Sequence, residues 1–247
     1  MASEDQPNQW RYDTAQDIDK TIGERLRRFP REPEMFVYAF RSAAALFMRF
    51  VLRVYHRLRF VGLENLPSEG SYILVSNHSS HLDAVCLLSM LPLKRVHRAF
   101  PAAAADYFFE SLPRTAIAAI LVNALPFARS AHVGQSLDLC RHLLETPGNV
   151  LIIFPEGTRS TTGDVGRFRP GIGLLVAGTR IPVVPCYLEG AFRAWPKGKK
   201  IPRPWRIRLH VGPPRTFEGV TPGRAGASEI ADALRESVVA LGGRKAE

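Results

Sequence analysis

Tyr72-Ile73-Leu74-Val75-Ser76 runs directly into Asn77-His78-Ser79-Ser80-His81-Leu82-Asp83, and this passage decides the architecture. The apolar run reads as a buried strand, and Ser79 or Ser80 is a preferred N-cap for the apolar stretch at 82–91 that follows. The same alternation recurs along the chain. Strand-like runs fall at 57–61, 72–76, 95–99, 124–127, 150–154, 183–188 and 206–211. Helix-like runs fall at 13–28, 82–91, 107–122, 134–145, 170–179 and 227–241, with turn signals at 67–70, 147–149, 162–166 and 197–204. The pattern predicts a single α/β domain with a mostly parallel central sheet flanked by helices, plus N-terminal amphipathic helices. Residues 1–56 form the N-terminal helical, membrane-interface region, 57–221 the main domain, and 222–247 a C-terminal helix and tail.

The turn after that strand also carries chemistry. Within a helix, positions five apart differ by about 140° and about 7.5 Å in rise, so His78 and Asp83 would not meet there. They meet if His78 sits in the turn and Asp83 in the first helical turn. The carboxylate then takes the Nδ1 proton of His78 and leaves Nε2 free to accept one from a hydroxyl. A simpler role is also open, in which Asp83 complements the helix dipole and His78 is only a turn residue. Downstream, Phe154-Pro155-Glu156-Gly157-Thr158-Arg159-Ser160 follows another apolar strand. Gly157 permits close approach of backbone to a ligand, Thr158 offers a hydroxyl, and Arg159 a planar fork for phosphate oxygens. Arg129, after Phe127-Ala128, and Arg167 and Arg169 add charge near the strand ends. The expected substrate is anionic.

Other chemistries fit less well. His78, His81 and Asp83 do not have the His-x-His-x-Asp-His spacing of a dinuclear hydrolase, and His132, His142 and His210 lack matching context, so no metal is expected. No Gly-x-Ser-x-Gly elbow occurs. Gly171-Ile172-Gly173 lacks the third glycine of a dinucleotide loop and reads as a close-packed helix start. Cys86, Cys140 and Cys186 form no Cys-x-x-Cys pair and read as buried small hydrophobes.

The 247 residues carry a net charge of +10, which points to an anionic partner: nucleic acid, a membrane surface or an acidic substrate. Nucleic acid is not expected, because no helix-turn-helix, zinc finger or ribonucleoprotein motif is present and charge alone leaves His78 and Glu156 unexplained. The polar, acidic stretch 1–20 does not read as a secretory signal, and no apolar run reaches the ~18 residues of a membrane span. The longest, 115–128, suits a core helix or a re-entrant segment. Residues 35–63 hold no acid; on a helix Arg41, Arg49, Arg53, Arg57 and Arg59 fall on an arc of roughly 160°. Phe36, Phe40, Phe47, Phe50, Val51 and Val54 occupy most of the rest. This is the pattern of a helix lying in a membrane interface, or of one packed on the domain with a solvated arginine face. Between Glu189 and Glu218 the sequence is again free of acids, with Arg193, Lys197, Lys199, Lys200, Arg203, Arg206, Arg208 and Arg215 interleaved with Trp195 and Trp205. That composition suits an anionic lipid surface.

Asn77-His78-Ser79-Ser80-His81-Leu82-Asp83 resembles the His-x-x-x-x-Asp motif of the glycerolipid acyltransferases, the family typified by lysophosphatidic acid (1-acyl-sn-glycerol-3-phosphate) acyltransferase. Phe127-Ala128-Arg129, Phe154-Pro155-Glu156-Gly157-Thr158-Arg159-Ser160 and Ile181-Pro182-Val183-Val184-Pro185 are similar to its second, third and fourth blocks, in family order. Ala128 stands where the family carries an acid, and Arg169 where lysine is common. The resemblance implies an acyltransferase domain over 57–221 with His78 as general base oriented by Asp83. Arg129, Arg159 and Arg169 would hold the acceptor phosphate, and Glu156, Gly157 and Thr158 would shape and line that site. The acyl donor would be acyl-CoA or acyl-carrier protein and the acceptor a lysophospholipid, with no cofactor, no metal and no acyl-enzyme. The implied place of work is peripheral, on the cytoplasmic face of a membrane with anionic lipids.

Overall fold

The computed structural model describes residues 35–104, 123, 125–127 and 133–243. Two expected helices, 13–28 and 107–122, lie outside them, as does Arg129. The described elements in chain order are α1 (Met35–Val54), β1 (Arg59–Val61), β2 (Tyr72–Ser76), α2 (Asp83–Met90), α3 (Leu93–Val96), β3 (Ala99–Ala104), β4 (Leu125–Phe127) and α4 (Val133–Glu145). They continue with β5 (Val150–Ile153), α5 (Gly171–Val176), β6 (Val183–Glu189), α6 (Ala191–Ala194), β7 (Arg208–Val211) and α7 (Arg224–Gly242).

The strands make one mixed sheet in the order β1-β7-β6-β2-β5-β3-β4, parallel at every pairing except β6 with β7. At its centre β2 is buried along its whole length, between β5 and β6. Alternation sends Tyr72 and Leu74 to one face, where they join Leu52 of α1 and Cys86, Leu87 and Met90 of α2. Ile73 and Val75 go to the other, against Leu137 and Cys140 of α4, Leu175 of α5, and Ile230, Leu234 and Val238 of α7. Burial on both faces is why β2 reads as continuous hydrophobic sequence. Because β2, β5 and β6 run parallel, their carboxyl ends share one edge, where α/β sheets bind ligands.

Three expectations are corrected. Residues 95–99 are not a strand: Pro92 caps the helical turn α3, the Arg95 guanidinium reaches back to the carbonyls of Ser68 and Gly70, and β3 begins only at Ala99. Neither Ser79 nor Ser80 caps α2; Leu82 occupies the N-cap position without a side-chain bond. The arginine arc does not survive either. The helix stops at Val54, Arg57 takes a left-handed φ of 48°, and Arg59 opens β1, so two of its five members are not helical. Arg41 is only 5% exposed and the Arg49 side chain binds the Leu91 carbonyl, because that side of α1 also carries Ala45, Met48 and Leu52, which pack on the domain. Burial lowers the pKa of both guanidinium groups. The outward stripe is Phe40, Leu46, Phe47, Phe50 and Val54, with Phe47 and Phe50 each 65% exposed. Among the described residues no helix is long and apolar enough to cross a membrane.

Candidate active site

The site is built where β2 ends. Asn77 leaves the strand but extends the ladder with its side chain: Leu188 N–H donates to Oδ1 at 2.8 Å and Nδ2 donates to Leu188 O at 3.2 Å. This amide substitutes for a backbone rung and frees the chain to turn. His78 follows, its ring stacked on Phe154 with centroids 4.2 Å apart and planes 18° apart.

Asp83, the first residue of α2, sends its carboxylate back into the turn. Oδ2 lies 2.8 Å from His78 Nδ1 and accepts the N–H groups of Ser79 at 2.6 Å and Ser80 at 2.8 Å. The two backbone donors and the helix N-terminus direct positive partial charge at this carboxylate. An acceptor at this position puts the imidazole proton on Nδ1 and leaves a lone pair on Nε2. Asp83 has no solvent exposure while the His78 side chain keeps 24%, so the imidazole is the accessible member of the pair.

The 154–160 loop, from the end of β5, grips the same turn from the other side. His78 N–H donates to Glu156 Oε1 at 2.7 Å, and Ser160 N–H donates to His78 O at 2.7 Å. Glu156 is buried, and its second oxygen accepts Gly166 N–H at 3.0 Å. Burial raises the Glu156 pKa, and the two backbone donors oppose that shift. Gly157 turns at φ +73°, and a β-carbon there would stand 2.8 Å from Arg169 Nε, so glycine admits the guanidinium against the loop.

A family model described as Acyltransferase matches residues 57–189, more than half of the chain. This chain belongs to the acyltransferase family. It is 26% identical over 189 residues to mouse 1-acyl-sn-glycerol-3-phosphate acyltransferase alpha, covering 75% of this chain and 63% of that protein. It is 32% identical over 160 residues to the chloroplastic 1-acyl-sn-glycerol-3-phosphate acyltransferase LPAT1 of Arabidopsis thaliana, covering 64% of this chain and 43% of that one. The chain thus spans less than two thirds of the length of these relatives. The crystal structure of the 1-acyl-sn-glycerophosphate (LPA) acyltransferase PlsC from Thermotoga maritima superposes with a TM-score of 0.62 at 22% identity, over 86% of this chain and 89% of that one, which shows a shared fold.

In this member of the acyltransferase family, His78, Asp83, Glu156, Gly157 and Arg169 lie in one contiguous group. Thr158 is exposed on the loop. The Arg159 guanidinium rests against the His81 ring at 2.6 Å, and His81 in turn sits beside Trp195 with ring centroids 5.0 Å apart. Burial and then Arg159 lower the His81 pKa, so the ring is a neutral acceptor near pH 7. Among the described residues no cluster could hold a metal ion. All three cysteines are buried and burial raises their thiol pKa values, Cys140 to about 12, so none is a nucleophile at neutral pH.

Sequence reasoning overlooked Asn77, the Phe154 stack and the bridge from Glu156 to Gly166. Asn77 was legible as a polar residue closing a fully apolar strand. The other two depend on contacts between segments that no local pattern links. The basic stretch after β6 also gains a place. Trp195 O accepts His81 N–H at 3.2 Å and Ser80 Oγ–H at 2.8 Å, so the stretch starts at the site. The Tyr55 hydroxyl and the Arg57 guanidinium donate to Pro202 O and Pro204 O, tying it to the end of α1. Ile201 and Trp205 are exposed on it, and Arg193 lies over the Trp205 ring at 5.1 Å.

Proposed function

We propose that this chain transfers a fatty acyl group from acyl-CoA or acyl-carrier protein to the free hydroxyl of 1-acylglycerol-3-phosphate, giving phosphatidic acid. The observation that carries this reading is the 2.8 Å contact between His78 Nδ1 and a fully buried Asp83 carboxylate, at the carboxyl edge of the sheet. Nε2 takes the acceptor's hydroxyl proton as its oxygen attacks the thioester carbon. The C–O bond forms, the C–S bond breaks, and the departing thiolate recovers the proton from the imidazolium. Asp83 stabilises that imidazolium. Arg159 and Arg169, with Arg129 from outside the described residues, hold the acceptor phosphate as guanidinium forks do. The scheme uses no metal, no cofactor and no acyl-enzyme.

The test is mass spectrometry of products formed by the purified chain from lysophosphatidate and oleoyl-CoA. Phosphatidic acid should form, and His78→Ala should lose turnover while keeping its fold. Full activity in that variant would overturn the assignment of the base. A panel of other lyso-lipid acceptors with the same donor fixes the head group.

The same reading places the chain peripherally on the cytoplasmic face of a membrane. In support, α1 turns large apolar side chains outward and is tied to a basic, tryptophan-bearing stretch that begins at the site. Vesicles containing anionic lipid should bind the protein at low salt, and Phe47→Ser with Phe50→Ser should weaken that binding. Indifference to such vesicles would refute the placement.

A further inference from the structure

Behind the site, α7 reaches across to the segment that follows the 154–160 loop. The half-buried Arg235 donates from Nε to Gly166 O at 2.9 Å and from Nη2 to Val165 O at 3.1 Å. The Val165 carbonyl and the Gly166 N–H belong to one peptide unit, and that N–H is the donor to Glu156 Oε2 at 3.0 Å. The unit is therefore held at both ends, by a cation on its oxygen and an anion on its nitrogen. Glu156 passes the restraint on, because its other oxygen holds His78 N–H at 2.7 Å. Hydrogen bonds in such a chain polarise one another, and those to charged partners are the strong ones.

The local sequence is shaped to this contact. A β-carbon on Gly166 would stand 2.9 Å from Glu156 Oε2, so a side chain there would push the carboxylate off its donor. The Glu156 oxygens are met by backbone N–H groups, and the Arg235 charge reaches this buried acid through the intervening peptide. Position 78 is thus fixed from two directions: Asp83 sets the imidazole, and the route from α7 sets the backbone that carries it.

We infer that Arg235 is a positioning residue for acyl transfer, acting on His78 through the Val165–Gly166 peptide and Glu156. The inference rests on the reading of His78 as the base. Arg235→Met should lower kcat about tenfold or more while leaving KM for both substrates within about twofold, since misplacing a catalytic group costs turnover rather than uniform binding. Arg235→Lys, able to reach one carbonyl, should recover part of the loss. In a Glu156→Gln background Arg235→Met should add little, because the two act in series.

A residue that only supports folding would lower the melting temperature, leave kcat per folded molecule unchanged, and be indifferent to position 156. Wild-type kcat in Arg235→Met, or losses that multiply with those of Glu156→Gln, would overturn the inference while His78→Ala remained inactive. An active His78→Ala would instead sink the base assignment, and this inference with it.

Discussion

Replacing Asp83 with Asn tests the site most directly, because it removes the charge and nearly keeps the shape. Oδ2 receives three N–H groups, from His78, Ser79 and Ser80, at 2.6–2.8 Å. An amide oxygen in that place keeps the two backbone bonds, so the turn should persist. It does not stabilise an imidazolium as a carboxylate does. A hydrogen bond to a charged group contributes about 1.5–3 kcal/mol. At 1.36 kcal/mol per decade that is a fall in kcat of about 10- to 150-fold, larger if the histidine tautomer is also lost. Asp83→Ala is a poorer probe: it strands two buried N–H groups at about 1–3 kcal/mol each, a large share of a typical folding free energy of about 5–15 kcal/mol. The assay is steady-state turnover of lysophosphatidate with oleoyl-CoA, beside a thermal melt of each variant. An Asp83→Asn enzyme with kcat within about twofold of wild type and an unchanged melt would refute the claim that this carboxylate assists the histidine.

Asn77→Ala should destabilise the fold by about 1–3 kcal/mol for each Leu188 backbone group left unpaired, read by urea unfolding; a loss below about 0.5 kcal/mol would show that water replaces the amide. Gly173→Ala should cost about 1–3 kcal/mol through overpacking, because the added carbon would stand 2.1 Å from Ala227 O where α5 meets α7. For a chain of this size that is roughly 2–4 °C in melting temperature per kcal/mol, and an unchanged melt would count against the close approach. Burial is the main cause lowering the pKa values of His56, His81 and His97 from 6.5. Below that value the unfolded chain binds more protons than the folded one at these three sites, so they should lower the melting temperature as the pH falls through about 6. Glu156, raised from 4.5, acts with the opposite sign between 4.5 and its folded value. A melting temperature that rises on acidification from about pH 7 to about pH 6 would contradict the histidine assignment.

Read alone, the sequence carries the α/β alternation and the centre of the sheet, because β2, β5 and β6 are buried strands and burial leaves a continuous apolar signature. It also determined that His78 and Asp83 could touch, since a turn followed by a helix start brings positions five apart together by local geometry alone. It misjudged 95–99, where β-branched and basic residues mimic a strand but Pro92 starts a helical turn. It left the direction of α1 open, since periodicity separates two faces of a helix without saying which one meets the domain. That Arg41 turns inward and Phe47 outward, and that Glu156 binds the backbone of His78, follows from the packing of the folded chain. The route from α7 through Arg235 to that backbone belongs to the same class. Each of these joins segments far apart in sequence, and such pairings are fixed by how helices pack on a sheet rather than by the propensities of the residues they join.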